Sequence, residues 1–164
     1  MKYRRLSTEE LKELEPEFIK FLAANGIPGD DWEKIKLTDT ARMDELVDQF
    51  SDMVMERALS NIKFIEHLTP KNLKVFYCLE KKIVMVGIDI DGDDDMDFTK
   101  PESLKKLTQL NAGNPLKIYK TEKEYDGNRE EEVYKMLSQG CQIITKERFE
   151  AIDGLHVDLK VQQN

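Results

Sequence analysis

Two apolar runs on either side of a short charged segment constrain this chain more than any other feature. Residues 73–79 and 83–90 are rich in β-branched and aromatic side chains, and residues 80–82 between them are charged. Such runs fit the pleated surface of a sheet, and a short polar connection between them predicts a β-hairpin. The second run leads into six aspartates within nine residues: Asp89, Asp91, Asp93, Asp94, Asp95 and Asp97. We therefore expect the chemistry of the chain to lie at this end of the hairpin.

Composition and charge exclude several classes of protein. With 164 residues, 40% of them hydrophobic, the chain can bury the core of one domain or of two small subdomains. Its formal net charge of -8 disfavours nucleic acid, because binding the phosphate backbone needs a basic patch, and it favours a partner with a basic surface. The sequence has neither an apolar run long enough for a membrane span nor the apolar core of a signal peptide. Cys78 and Cys141 suit a reducing compartment as small hydrophobic residues, so we predict a cytoplasmic protein that binds no membrane.

The first part of the chain, residues 1–69, has the periodicity of helices. Ser7 followed by Glu10 is a capping box, and apolar residues at helical spacing come after it. Pro16 stands inside this pattern, which predicts either a kink or a restart of the helix with the proline in its first turn.

A longer helix follows, and it is predicted to form the main scaffold of the first part. Thr38 or Asp39 is the expected cap, and the helix is expected to continue through Glu66, with His67 at its C-terminal end. Its apolar stripe consists of Met43, Val47, Phe50, Val54, Ala58, Ile62 and Ile65. The proline-containing segment 69–72 then marks the boundary with the second part.

Several residues of the first part resemble those of a known family. They are Met1-Lys2-Tyr3-Arg4-Arg5-Leu6, Glu9-Glu10-Leu11, Phe18, Phe21-Leu22 and Asp31-Trp32. The pattern resembles a family of small uncharacterised bacterial cytosolic proteins, a domain of unknown function. The resemblance covers about the first seventy residues and implies a bacterial cytosolic origin, but it carries no activity and no site.

The second part, residues 73–164, combines predicted strands with short helices. After the hairpin, the patterns predict helices at 99–113, 128–140 and 146–153, and strands at 116–121, 141–145 and 156–161. Thr99 and Glu102 form a predicted capping box, and Gly154 is expected to end the last helix. The sequence thus predicts an α+β fold, in which an N-terminal helical layer packs on a small mixed β-sheet with a central hairpin, in one compact domain.

The spacing of the aspartates partly matches a calcium loop. An EF-hand places oxygen ligands at positions 1, 3, 5 and 7 and a bidentate carboxylate at position 12. Counting from Asp91, aspartates occupy those odd positions and Glu102 occupies the twelfth. The sequence departs from the EF-hand pattern at two points. Met96 stands where the loop needs glycine, and the preceding element is a predicted strand and not a helix. The candidate ligands for Ca²⁺ or Mg²⁺ are Asp91, Asp93, Asp95 and Glu102.

The end of the second apolar run also resembles a phosphatase motif. Ile88-Asp89-Ile90-Asp91-Gly92 resembles the first motif of haloacid-dehalogenase-like phosphatases. The resemblance implies one aspartate as nucleophile and the next-but-one as acid and base, beside a magnesium ion. Asp93 stands where that family usually has threonine, and the remaining chain is too short for the family's Rossmann-like core. A small magnesium-dependent hydrolase is therefore only the third hypothesis.

The same aspartates suit a protein partner with a basic surface. Acidic loops raise the rate of association with such a surface and make it depend on salt. The main hypothesis is a non-enzymatic cytosolic interaction module or adaptor, and a divalent-cation-binding regulatory protein is the alternative. A solvated loop that increases solubility is the purely structural interpretation. The predicted partner-binding residues are Asp93, Asp94, Asp95 and Asp97.

Other sequence patterns support no catalytic chemistry. The cysteines and histidines lack the spacing of a zinc site, and the glycines do not form a phosphate-binding loop. Lys2, Arg4 and Arg5 form a short basic tail, which we expect to be solvated.

The calcium hypothesis predicts a stabilisation that can be measured. If a cation binds the four candidate ligands, millimolar CaCl₂ should raise the melting temperature, because a ligand that binds only the native state stabilises it by mass action. Glu102→Gln should abolish the rise. An unchanged melting temperature in the wild-type chain would contradict calcium binding, and MgCl₂ at the same concentration tests whether the site prefers the larger ion.

Overall fold

A computed structural model of the protein describes residues 1–92, 95–107 and 116–162. The chain divides into two compact units, Met1–Asn61 and Ile62–Asn164. Helices make up the first unit and a β-sheet with helices makes up the second, so the predicted α+β class is confirmed. The predicted boundary at 69–72 falls inside the second unit, in the turn between its first two strands. Within the described ranges, no helix combines the length and the apolarity that a membrane span requires.

The first unit consists of four consecutive helices. They are α1 (Thr8–Glu13), α2 (Glu15–Ala24), α3 (Gly29–Thr38) and α4 (Thr40–Asn61). The predicted capping box forms, since the Ser7 hydroxyl accepts from the Glu10 N–H at 3.2 Å and the Glu10 carboxylate accepts from the Ser7 N–H at 2.7 Å. Leu14 separates α1 from α2, and Pro16 lies in the first turn of α2, so of the two predicted alternatives the helix restarts. Asp39 caps α4 by accepting from the Arg42 N–H at 3.0 Å.

Aromatic rings form much of the core of the first unit. Phe50 of α4 is fully buried, and the ring of Phe18 lies 4.9 Å from its ring. Phe18 also packs edge-to-face against Trp32 of α3, with the ring centroids 5.1 Å apart. Such pairs add to the free energy that the buried apolar area already contributes. Phe50 therefore connects the apolar faces of α2 and α4, as its place in the predicted stripe suggested.

The side chains of the basic tail, Lys2, Arg4 and Arg5, are exposed, as expected, but the tail also bonds to α4. The guanidinium of Arg5 donates to Asp48 at 2.6 Å and to Asp44 at 2.9 Å. The Lys2 N–H donates to the Asp52 carboxylate at 2.8 Å, and the Tyr3 hydroxyl donates to Glu56. The four acidic residues follow one another at intervals of four along α4, so they lie on one side of the helix. The tail therefore runs along α4 and bonds to a row of carboxylates on one side of that helix.

The end of α4 differs from the prediction. The helix ends at Asn61 and does not continue through Glu66, because residues 64–68 form a strand. Ile65, predicted to lie on the helical stripe, is fully buried in that strand opposite Phe76. His67 accordingly lies opposite Lys74 in the sheet and not at a helix terminus. Pairing with the strand that follows, and with Ile143 much further along the chain, overrides a local apolar periodicity that suits a helix equally well.

The second unit is built on a five-stranded sheet. Its strands are β1 (Phe64–Leu68), β2 (Asn72–Cys78), β3 (Lys82–Ile90), β4 (Leu116–Glu124) and β5 (Gln142–Ile143). They lie in the order β4-β3-β2-β1-β5. The predicted hairpin is confirmed, with Val75 opposite Val86 and Leu73 opposite Ile88. The sheet was expected to be mixed, but every described pairing is antiparallel.

Three helices accompany the sheet within the described ranges. They are α5 (Glu102–Leu107), α6 (Arg129–Ser138) and α7 (Lys146–Gln162). The Asn128 side chain caps α6 by accepting from the Glu131 N–H at 3.1 Å, and Gly140 follows the helix with a φ of 101°, both as predicted. The predicted strand at 156–161 is wrong, because α7 continues through Gly154. A glycine inside a helix costs only about 1 kcal/mol, and packing of α7 on the sheet outweighs it.

The helix α7 covers one face of the sheet. Phe149 and Ile152 of α7 are buried in one apolar cluster with sheet residues such as Val75 and Val86. Beside this cluster, Arg148 donates to the buried carboxylate of Glu66 at 2.5 Å. The opposite charge and the hydrogen bond compensate for the removal of Glu66 from water.

The core position of Phe50 can be tested by mutation. Phe50→Ala should lower the free energy of unfolding by about 3–5 kcal/mol, because it removes a fully buried ring and leaves a cavity. Urea denaturation followed by the fluorescence of Trp32, which lies in the same unit, measures this change. Leu37→Ala is the matched control, since Leu37 is 85% exposed and its loss should change stability by no more than about 0.5 kcal/mol. A loss below about 1 kcal/mol for Phe50→Ala would contradict the core assignment.

Candidate functional site

The acidic loop, residues 91–97, begins where β3 ends, and apolar side chains anchor its second half. Met96 and the adjoining Phe98 are 2% and 3% exposed and belong to the apolar cluster of the second unit. The Phe98 N–H donates to the carbonyl of Pro70 at 3.0 Å, and the Lys71 ammonium donates to the carbonyl of Met96 at 3.0 Å. Asp95 is exposed. The aspartates of this half are therefore carried on a backbone that the core holds in place.

Asp97 has the most defined surroundings of the predicted site residues. Its carboxylate accepts from the Thr99 N–H at 2.9 Å and from the Thr99 hydroxyl at 2.5 Å. These two bonds lower the pKa of Asp97, and the nearby charges of Lys100 and Lys71 act in the same direction. The predicted capping box of Thr99 with Glu102 does not form, because Asp97 takes the Thr99 N–H and α5 begins only at Glu102.

The predicted metal ligands are less completely placed than Asp97. Asp91 and Asp95 are exposed in the acidic loop, and Glu102 is exposed as the first residue of α5. Asp93 and Asp94 lie outside the described residues. Among the residues that the structure does describe, no three acidic, histidine or cysteine side chains come together as a metal site. The four-ligand site, which includes Asp93, stays a prediction.

Asp89, the first aspartate of the phosphatase-like motif, lies within the sheet. It accepts a hydrogen bond from the side-chain amide of Asn72 on β2 and lies opposite Lys117 on β4. The same amide donates to the Tyr119 hydroxyl at 3.3 Å. Asp89 thus belongs to a polar row across three antiparallel strands, whereas the phosphatase resemblance implies a parallel Rossmann-like sheet. The fold gives the hydrolase hypothesis no support.

The sequence located the acidic loop but not what anchors it. In the sequence, Met96 is a departure from the calcium-loop pattern and Phe98 adjoins the acidic loop, and neither residue by itself indicates an anchor. The signal was present in the alternation Asp95-Met96-Asp97-Phe98, since alternating polar and apolar residues indicate one buried and one solvated side. The carbonyl that Lys71 contacts could not be found this way, because residues 71 and 96 are far apart in sequence.

Comparison with known proteins gives one match. The sequence model of a family described as a family of unknown function (DUF6495) matches residues 1–156. This match confirms the resemblance to an uncharacterised family and extends it from about seventy residues to nearly the whole chain. No curated protein and no solved structure matches. The function must therefore be argued from the residues themselves.

The hydrogen bonds of Asp97 predict how its carboxyl group titrates. In the folded protein the pKa of Asp97 should lie below the ordinary aspartate value. Its hydrogen bonds therefore stabilise the protein fully when the pH is above the ordinary pKa of aspartate. This stabilisation is lost as the pH falls through the lowered pKa of the folded state. A carboxyl-detected NMR titration measures this pKa. Thr99→Ala should move it back toward the ordinary value, and Thr99→Ser, which keeps the hydroxyl, should not. Equal pKa values in both variants would show that the hydroxyl has no effect.

Proposed function

Since this chain belongs to DUF6495, a family of unknown function, we propose its function from its own surface: it is a non-enzymatic cytosolic module that binds a protein partner through the acidic loop. The observation that carries this proposal is the anchoring of the loop by Met96 and Phe98. Ordering a loop on binding costs free energy, so the half of the loop that the core already holds, with Asp95 and Asp97, presents its charges at a lower cost. A loop that served only solubility would need no such anchoring.

Charge identifies the chemistry of the partner. The loop sequence holds five aspartates and no basic residue, and the whole chain has a formal net charge of -8. A negative surface of this kind attracts a basic surface over long distances and repels other acidic proteins. Asp97 adds a carboxylate that stays ionised to lower pH than an ordinary aspartate. The partner is therefore a protein with a basic surface, and its binding should weaken as salt increases.

The cysteines support a binding function in preference to nucleophilic catalysis. Burial raises the pKa of Cys78 to about 11, and burial also raises the pKa of Cys141. Because of these raised pKa values, both thiols stay protonated at neutral pH. A thiol attacks as its thiolate, so neither cysteine is an activated nucleophile. Both cysteines are free thiols, which suits the cytoplasm as the proposed compartment.

A divalent-cation-binding regulatory protein is the alternative function. Asp91, Asp95 and Glu102 are all exposed, and hard cations prefer carboxylate oxygens. The calcium titration described above tests this alternative separately from the binding of a protein.

The acidic loop predicts a defined response to charge removal. In Asp93→Asn/Asp94→Asn/Asp95→Asn, the association rate with a basic partner captured from the native host should fall about tenfold at low salt, because electrostatic steering is lost. Surface plasmon resonance at several salt concentrations should also show a flatter salt dependence. The melting temperature should stay the same or rise slightly, since close carboxylates repel one another.

A matched control separates the loop from the overall charge. Glu13→Gln/Glu80→Gln/Glu124→Gln removes three charges from exposed positions outside the loop. This control should change the association rate much less than the loop variant does. Equal effects of the two triple variants would refute a local role for the loop, and an unchanged rate in the loop variant would leave solubility as its function.

A further inference from the structure

A groove on the second face of the sheet lies at the opposite end of β3 from the acidic loop. It runs between α6 and β4, and its volume is about 820 Å³. Its lining residues come from the second unit alone, and its floor consists of Phe76, Ile83, Met85 and Met136. A volume of this size falls within the range of ligand-binding clefts in proteins, about 300–1,000 Å³.

The strand register brings the floor residues together. Phe76 of β2 lies opposite Met85 of β3, and Met85 lies opposite Thr121 of β4. Directly opposed residues in a sheet point to the same face, so these three side chains form a row across the sheet. They face away from the side that α7 covers, because side chains alternate along each strand.

A buried arginine fixes α6 beside this row. Arg129, 9% exposed, donates to the carbonyls of Ile62 and Cys78 at 2.5 and 3.1 Å, and to that of Leu79 at 3.1 Å. The Tyr125 hydroxyl donates to the same Leu79 carbonyl at 2.8 Å. These bonds attach the N-terminus of α6 to the end of β2. The rest of the helix then lines the groove beside the strands, and its Met136 completes the apolar floor.

The floor is apolar and adaptable. Ile83 is buried, whereas Phe76, Met85 and Met136 are each partly exposed inside the groove. Methionine is unbranched and polarizable, so it adapts to apolar ligands of different shape. Covering partly exposed apolar side chains with another apolar group removes apolar surface from water, which favours binding.

The rim has an excess of negative charge. Four carboxylates line it, from Glu122, Asp126, Glu131 and Glu132, together with the two ammonium groups of Lys123 and Lys135. Lys123 already forms ion pairs with Glu132 at 3.1 Å and with Asp126 at 3.8 Å, and Glu122 pairs with Lys82 at 2.8 Å. The Asp126 side chain is 93% exposed, which leaves it accessible to a further cation. The groove therefore combines an apolar floor with a rim that favours positive charge.

We propose that this groove binds a short amphipathic basic segment of another protein. Apolar side chains of the segment cover the floor formed by Phe76, Met85 and Met136, and its lysines or arginines meet the carboxylates of the rim. A second copy of this chain suits the groove less well, because each copy has a formal net charge of -8. The inference concerns a second site and does not depend on the acidic loop.

A labelled peptide tests the groove directly. The probe is a fluorescein-labelled peptide of eight residues that alternates lysine and leucine, and binding to the full chain is measured by fluorescence anisotropy. Met85→Ala and, separately, Met136→Ala should weaken binding at least about fivefold, since each removes part of the floor. Asp126→Asn should weaken it by a smaller factor and reduce its salt dependence. Circular dichroism confirms that each variant is folded, and the two floor variants lie on different elements, so a folding defect in one leaves the other informative.

Two peptides and two protein variants serve as controls. Peptides with glutamate in place of lysine, or serine in place of leucine, should bind at least about tenfold more weakly. Met53→Ala changes an exposed methionine of the first unit and should leave the affinity unchanged. Asp95→Asn in the acidic loop should also leave it unchanged.

Several outcomes would overturn the inference. Wild-type affinity in both floor variants, or equal affinity for the glutamate peptide, would show that the groove does not select this segment. If only Asp95→Asn weakened peptide binding, the peptide would bind at the acidic loop and not in the groove, which would support the function proposed above. A dimer in analytical ultracentrifugation that Met85→Ala dissociates would identify a second copy as the occupant.

Discussion

The register of the central hairpin is the constraint on which the second unit depends. Because side chains alternate along a strand, a shift of one residue between β2 and β3 would exchange the two faces of the sheet. The observed register pairs Val75 with Val86 toward α7 and Phe76 with Met85 toward the groove. The same register ends β3 at Ile90, so the acidic loop starts beside the turn that follows β1. The core, the groove and the loop all follow from one set of backbone pairings.

Charged groups have two different uses in this molecule. Some are held inside by bonds that compensate for lost hydration: Glu66 accepts from Arg148, and Arg129 donates to backbone carbonyls. Removing one partner of such a set leaves a buried charge without compensation, which is strongly destabilising. Others are displayed, as in the acidic loop and on the rim of the groove. The formal net charge of -8 therefore does not show that the acidic residues have these two different uses.

The acidic loop and the groove are two surfaces of the second unit with a common chemical preference. Both carry an excess of negative charge, and the groove adds an apolar floor next to it. The loop suits the first encounter with a basic surface, because long-range attraction mainly raises association rates. The groove suits retention, because covering apolar area mainly slows dissociation. The two proposals therefore make separate kinetic predictions for one kind of partner.

The sequence by itself determined the features that depend on neighbouring residues. It identified the capping box of Ser7, an interruption of the helix near Pro16, the hairpin and the position of the acidic loop, because caps, turns and alternation act over a few residues. Tertiary structure decided the rest. Ile65 joined a strand and Gly154 stayed inside a helix, since pairing with β2 and packing on the sheet outweighed local preferences. The groove likewise could not be predicted from the sequence, because its lining residues come from segments that only the fold brings together. Contacts between such distant segments leave no local pattern in the sequence.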